Sequence, residues 1–169
     1  MSRHIHSHAQ TYSASSYDDY LCLKPPFLLW LGILYLSKAV TLPMAMAIAS
    51  FSGVNPYAIT LMRGLWSAQS LVPSAIAVLV LFALLRRMPS ASKPVRWIWT
   101  HGGALLAMSA GIDLALSLAQ FIRVGELNDQ TIVSLMSAGI DLYFLTYVLA
   151  ARRVRDAFGE FPPPLDPAK

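Results

Sequence analysis

The feature that most constrains this chain is the way its apolar residues are gathered. They fall in four long runs, at about residues 26–51, 67–87, 98–122 and 131–151, separated by short polar connections. About 20 apolar residues in a helix cross the hydrocarbon of a bilayer. No water is available there to satisfy the backbone, so a helix, which pairs its own N–H and C=O groups, is the conformation expected. The chain therefore reads as all-α, a polytopic four-transmembrane-helix bundle over residues 25–152, between a polar tail (1–24) and a proline-rich tail (153–169). Composition agrees: 56% of residues are hydrophobic and 13% charged, with a mean hydropathy of +0.52. Soluble domains carry about 25% charged residues.

Cations orient the bundle. The connection RRMPSASKPVRW, with Arg86, Arg87, Lys93 and Arg96, holds no acid. Arg152, Arg153 and Arg155 follow the fourth run, and Lys24 precedes the first. The alternate connections hold only Arg63 and Arg123. The positive-inside rule then gives a multi-pass protein of the cell inner membrane with both termini cytoplasmic. The first 20 residues are polar, so no cleavable signal peptide is expected. The net charge of +4 is a matter of topology, not nucleic-acid affinity. Pro43 is expected to kink one continuous first helix, and Asn55–Pro56 to mark a turn before a short interfacial helix with Arg63 and Trp66. The ending GEFPPPLDPAK is expected to be extended and mobile.

One heptapeptide occurs twice. Residues 108–114 and 136–142 both read MSAGIDL, and each copy puts an aspartate, Asp113 or Asp141, inside an apolar run. Counted at 1.5 Å per residue, Asp113 lies roughly 15 Å and Asp141 roughly 18 Å from the outer ends of their spans, with Lys38 about 18 Å from the inner start of its own. One cation and two acids thus share the middle of a core about 30 Å thick. Mid-membrane charges face protein or a water-filled cavity, often in pairs. The expectation is an intramembrane cluster of Lys38, Asp113 and Asp141 facing the bundle interior, with at least one Asp against Lys38. Such a trio either fixes helix register or serves binding or proton handling.

Helical spacing puts Ser109, Asp113, Ser117 and Gln120 on one side of the third run, and Gln130, Ser134, Ser137 and Asp141 on one side of the fourth. These residues read as the polar lining of a vestibule open outward, or as hydrogen-bonding glue between helices. Gly103, Ala107, Gly111, Ala115 and Ala119 form a small-residue row on another face, suited to close packing within the chain. Asp18, Asp19 and their flanking tyrosines Tyr17 and Tyr20 form a compact patch that either seats on the basic loop or is solvated.

Other chemistry is thin. His4, His6 and His8 alternate in what reads as a disordered tail rather than a metal site. His101, near an interface, reads as structural. Cys22 is the only cysteine, so no internal disulfide forms. No phosphate loop, nucleophile elbow, zinc helix or paired-cysteine motif is present. No catalytic residue, metal or cofactor is therefore assigned.

The segment YDDYLCLKPPFLLWLGILYLSK and the ending RRVRDAFGEFP resemble the YfeZ-like family of small bacterial inner-membrane proteins of unknown function. The likeness covers residues 17 to about 162. It implies a four-span inner-membrane protein and supplies no activity.

The sequence supports a small integral membrane protein that is not an enzyme, most readily a structural or accessory one that docks a partner. The alternative is a small carrier or sensor binding a polar or ionic ligand in an outward-facing vestibule. The expected partners are the lipid bilayer, a membrane or cytoplasmic protein, and a second copy of the chain; nucleic acid is not expected.

Overall fold

The computed structural model describes residues 12–18, 20–53, 55, 68–124 and 129–163. The alternating histidines, the predicted interfacial helix with Arg63 and Trp66, and Asp19 lie outside them. The described residues are all-helical. The α-helices are α1 (Phe27–Leu36), α2 (Lys38–Phe51), α3 (Leu71–Leu85), α4 (Lys93–Thr100), α5 (Gly102–Val124), α6 (Asp129–Ala150) and α7 (Arg152–Gly159). Two helices, α5 and α6, are long and apolar enough to cross a membrane. A third crossing is present if α1 and α2 count as one broken span.

The first apolar run departs from expectation. It is not a single helix kinked at Pro43. It breaks at Ser37, where α1 and α2 meet at 82°, and Pro43 sits inside α2. The break is a built elbow. Ser37 Oγ donates back to Ile33 O at 2.7 Å, a local bond that competes with the helical ladder. Across the gap, Ser74 Oγ donates to Leu36 O at 2.7 Å and accepts from Ala39 N at 3.2 Å. One hydroxyl from α3 thus stitches the end of α1 to the start of α2. Pro43 lies six residues past Ser37 with its side chain exposed, so it does not set the position of the bend.

The second run is also shorter than expected. Residues 67–87 hold the 15-residue α3, led by a 3-10 turn at Ala68–Ser70. At 1.5 Å per residue α3 is about 22 Å long and α1 about 15 Å. Both end at the level of Asp113, about 17 Å along α5 from Gly102. Beyond that level α5 loses cover, and Ala115, Leu118, Ala119 and Ile122 are exposed. The small-residue row does not become a close helix contact. A Cβ on Gly111 would meet nothing within 4 Å, and the buried face of α5 is instead Gly102, Leu106, Ser109, Ala110 and Asp113. The close approach in the bundle occurs at Gly32 of α1, where a Cβ would overlap the Phe144 ring of α6.

The third run starts later than expected. Trp97 and Trp99 belong to the separate helix α4, which ends at His101 before α5 begins. The tails are not loose either. Residues 12–24, α4 and α7 with its following segment form one cap at the end of the bundle where α1 starts and α3 ends. Asp18 Oδ1 accepts from Tyr20 N at 3.0 Å and Cys22 N at 2.9 Å, folding a tight turn in which Leu21 takes a left-handed φ of 59°. Arg87 holds the cap together. Its guanidinium donates to Leu23 O at 3.0 Å and Glu160 O at 3.2 Å, lies 3.6 Å from Asp18 Oδ2, and stacks 4.9 Å from the Trp99 ring centre. Trp99 is fully buried, with Nε1 donating to Ala157 O and Glu160 O. Phe158 fills the space that Gly102 leaves open. Arg96 binds Pro162 O at 2.9 Å and lies over Phe161. The segment expected to be mobile is therefore ordered as far as residue 163, because aromatic and arginine side chains of the basic loop cover it.

Candidate functional site: a buried charge cluster at a helix elbow

The elbow delivers Lys38 to the interior. As the first residue of α2 it turns away from the axis of α1 and reaches α5. Its ammonium forms an ion pair with Asp113 Oδ2, both side chains being buried. It also donates to Ser137 Oγ at 2.9 Å and Tyr35 Oη at 3.3 Å, and it lies 4.5 Å from the Tyr35 ring centre. Asp113 takes a further bond from Ser70 Oγ at 3.1 Å. Ser70 occupies the N-cap position of α3 but makes no side-chain cap; its hydroxyl is spent on the carboxylate. Tyr35 Oη lies 2.6 Å from Ser137 Oγ. Four helices thus converge on one lysine.

Asp141 is different. It is 0% exposed, one helical turn from Ser137 on the same face of α6. Neither of its carboxyl oxygens has a hydrogen-bond partner among the described residues. Lys38 and Asp113 act on it through their charges, and the side chains of Asp113 and Tyr35 lie at the margin of hydrogen-bond contact with it. The two copies of MSAGIDL therefore share a face pattern but not a fate. In both, Ser, Ala and Asp point inward and Met points out. In the first copy Ser109 donates to Pro73 O at 2.8 Å and Asp113 holds the lysine. In the second, Ser137 holds the lysine and Asp141 makes no close hydrogen bond.

Beside the cluster lies a cavity of about 520 Å³ between the elbow and α6. Leu34, Tyr35, Lys38, Thr41 and Leu42 form one wall, and Val133, Met136, Ser137 and Ile140 the other. Of the six residues expected to line a vestibule, Ser137 alone lines this cavity. Ser109 is tied to α3, and Ser134 is buried. Ser117 and Gln120 are half-buried in the stretch of α5 that runs beyond α1 and α3. The side chain of Gln130 lies outside the described residues. The polar residues serve different neighbours because α1 and α3 stop short, so no common outer wall aligns them. Tyr35 and Ser70 complete the cluster without having been singled out from sequence. Tyr35 had a signal, since it precedes Lys38 by three residues, the spacing of neighbours on an unbroken helix. Ser70 had none, because its partner comes from another helix.

His101 stacks on Trp97 with ring centres 4.6 Å apart, and its Nδ1 lies 2.9 Å from Trp97 O. It is a helix-end residue, remote from the cluster. Among the described residues no group of three or more His, Cys, Asp or Glu is placed to hold a metal ion.

The family described as a protein of unknown function (DUF2919) matches residues 12–160. The chain belongs to the DUF2919 family. The match covers the helices together with most of the cap built on residues 12–24, α4 and α7. It agrees with the YfeZ-like resemblance in its extent and in carrying no activity; the YfeZ-like name is not part of it. No curated protein and no solved structure matches the chain.

Proposed function

We propose that this protein is a small inner-membrane carrier or sensor that binds and releases a proton at Asp141. The observation that carries this reading is the charge count at the elbow. Lys38 and Asp113 neutralise each other, and a second carboxyl is buried beside them without a close hydrogen bond or a cation of its own. An isolated carboxylate in a low-dielectric interior costs several kcal/mol, which a bound proton removes. A metal cation fits less well, because hard cations take about six or more oxygen ligands and Asp141 faces no such set. A helix broken at mid-depth beside buried charge is also the way many carriers build an ion site. The reading treats α1 with α2, α3, α5 and α6 as four membrane passages, with both termini on the cytoplasmic side. The gathering of residues 12–24, 86–101 and 152–163 in one basic cap supports that orientation.

Asp141 acts as the proton-holding group, and Lys38 and Asp113 hold the elbow in place. No bond-making chemistry is assigned, and the protein is read as a non-enzyme. The test is the infrared carboxylic-acid band of the full-length protein in vesicles, titrated over pH. A band that Asp141→Asn removes is expected. A wild-type protein with no such band at any pH at which it stays folded would overturn the proposal.

A second reading has its own support. The ordered cap presents Lys24, Arg86, Lys93, Arg152 and Arg155 as exposed cations, a surface suited to an acidic protein partner. On this reading the protein is an accessory subunit, and crosslinking in cells followed by identification of one reproducible partner at these residues would favour it.

A further inference from the structure

The geometry points to the cavity between the elbow and α6 as a binding site for a single-chain amphiphile with a carboxylic-acid head, such as a long-chain fatty acid. It names a ligand for the proposed proton site and so rests on that reading for the fate of the proton. Three observations lead to it.

The first is the wall. Of nine lining residues, Leu34, Leu42, Val133, Met136 and Ile140 are aliphatic, and the polar atoms come from Tyr35, Lys38, Thr41 and Ser137. A mostly apolar cavity of about 300–1,000 Å³ with a few convergent polar groups is the usual form of a small-ligand site. The second is the opening. Leu34, Met136 and Ile140 on its rim are exposed. In a bilayer that flank meets acyl chains, so a ligand enters from the lipid. The third is the sign of the polar end. Among the described residues every polar lining side chain carries a hydrogen-bond donor, one of them the ammonium, and no acid lines the cavity. A cationic head meets Lys38 and is repelled. An acceptor head is matched, and a carboxylate is matched best, because Arg and Lys bond ionised oxygens more strongly than neutral ones.

Charge balance is kept. The acid enters from the bilayer neutral, as RCOOH. Its O–H bond breaks, its proton passes to the carboxylate of Asp113, and the resulting RCOO⁻ takes the place of Asp113 on the Lys38 ammonium. Lys38 stays charged throughout, and the net charge of the interior does not change. Tyr35 and Ser137, whose hydroxyls already surround Lys38 Nζ, supply the donors that position the second oxygen. Asp141, which already holds its own proton, stays neutral, so the proton released by the ligand remains on Asp113.

The experiment uses full-length protein in nanodiscs and palmitate labelled with ¹³C at the carboxyl carbon. Binding is read as a distinct bound signal at a carboxylate shift, with hexadecanol and hexadecylamine as competitors. The expected result is that palmitate binds, and that neither competitor displaces it at equal concentration. Ile140→Trp, which fills the cavity from its rim and leaves every charge in place, should weaken binding by at least about tenfold. A bound signal insensitive to Ile140→Trp, or displaced as well by hexadecanol as by unlabelled palmitate, overturns the proposal. The infrared band of Asp141, recorded without palmitate on the same sample, separates the two readings. Its presence with no palmitate binding sinks the ligand and keeps the proton site. Palmitate binding without the band sinks the proton site and keeps the ligand.

Discussion

The three charges at the elbow should differ sharply in what their loss costs. Lys38→Met leaves Asp113 buried with the Ser70 hydroxyl still bonded to it but its cation gone, and Asp141 beside it. Breaking a buried pair by removing one member costs about 3–5 kcal/mol. For a chain of this size each kcal/mol moves the melting temperature by about 2–4 °C, so the loss should be about 6–20 °C. Asp113→Asn should cost less, because Asp141 is close enough to serve as a substitute counter-ion. Asp141→Asn exchanges one buried, unpartnered neutral group for another and should change stability by less than about 1 kcal/mol. Adding Asp113→Asn to Lys38→Met should recover part of the loss, since removing both members of a buried pair is often nearly neutral. Thermal unfolding of the purified protein in one detergent, followed by a fluorescent size-exclusion readout, gives the order directly. If Asp141→Asn unfolds as readily as Lys38→Met, Asp141 is a structural partner of the lysine, and the proton site built on its lack of partners fails.

Four other outcomes test the architecture. Ser74→Ala removes both hydrogen bonds across the elbow and should destabilise by about 1–3 kcal/mol; no loss in a thermal melt would mean that Ser74 does not hold the break. Gly32→Val should clash with Phe144 and cost about 1–3 kcal/mol, with Phe144→Leu restoring part of it in the same assay. Phe158→Ala should cost about 3–5 kcal/mol and expose residues 152–163 to protease; an unchanged cleavage pattern would contradict the cap. Cys22 is buried, and burial pushes its thiol above the usual value, with Asp18 and Glu160 adding to the rise and Arg87 opposing it. The thiolate that reacts with a maleimide is therefore scarce at neutral pH. Arg87→Met releases the strap and should speed alkylation severalfold, since exposing the thiol outweighs losing the nearby cation.

The long apolar helices, the cations of the basic loop and the three mid-run charges could be read from the chain because each rests on local composition. The elbow could not. A proline marks a kink in a linear reading, and Pro43 was the natural candidate, yet the break falls at Ser37. What decides it is a hydroxyl from a distant helix, Ser74, and the pull of Asp113 on Lys38, neither of which has a sequence neighbour to announce it. The same holds for the tail. GEFPPPLDPAK has the composition of a solvated segment, and its order up to residue 163 comes from Arg87, Arg96 and Trp99, some 60 to 70 residues earlier in the chain. The repeated heptapeptide shows the limit most plainly. Identical residues gave matched faces, while the partners that distinguish Asp113 from Asp141 come from α2 and α3, which are not repeated.

The shortness of α1 and α3 bears on the bilayer as much as on the protein. On the proposed four-passage reading, a helix of about 22 Å beside a hydrocarbon layer of about 30 Å leaves a mismatch that lipid would absorb by thinning, at a fraction of a kcal/mol for each ångström. On the opposite flank α6, at about 33 Å, meets the layer at nearly full thickness. One side of the molecule would thus pinch the membrane and the other would not. On that same reading, such an asymmetric collar would place the thinner or more easily deformed lipid on the α3 side.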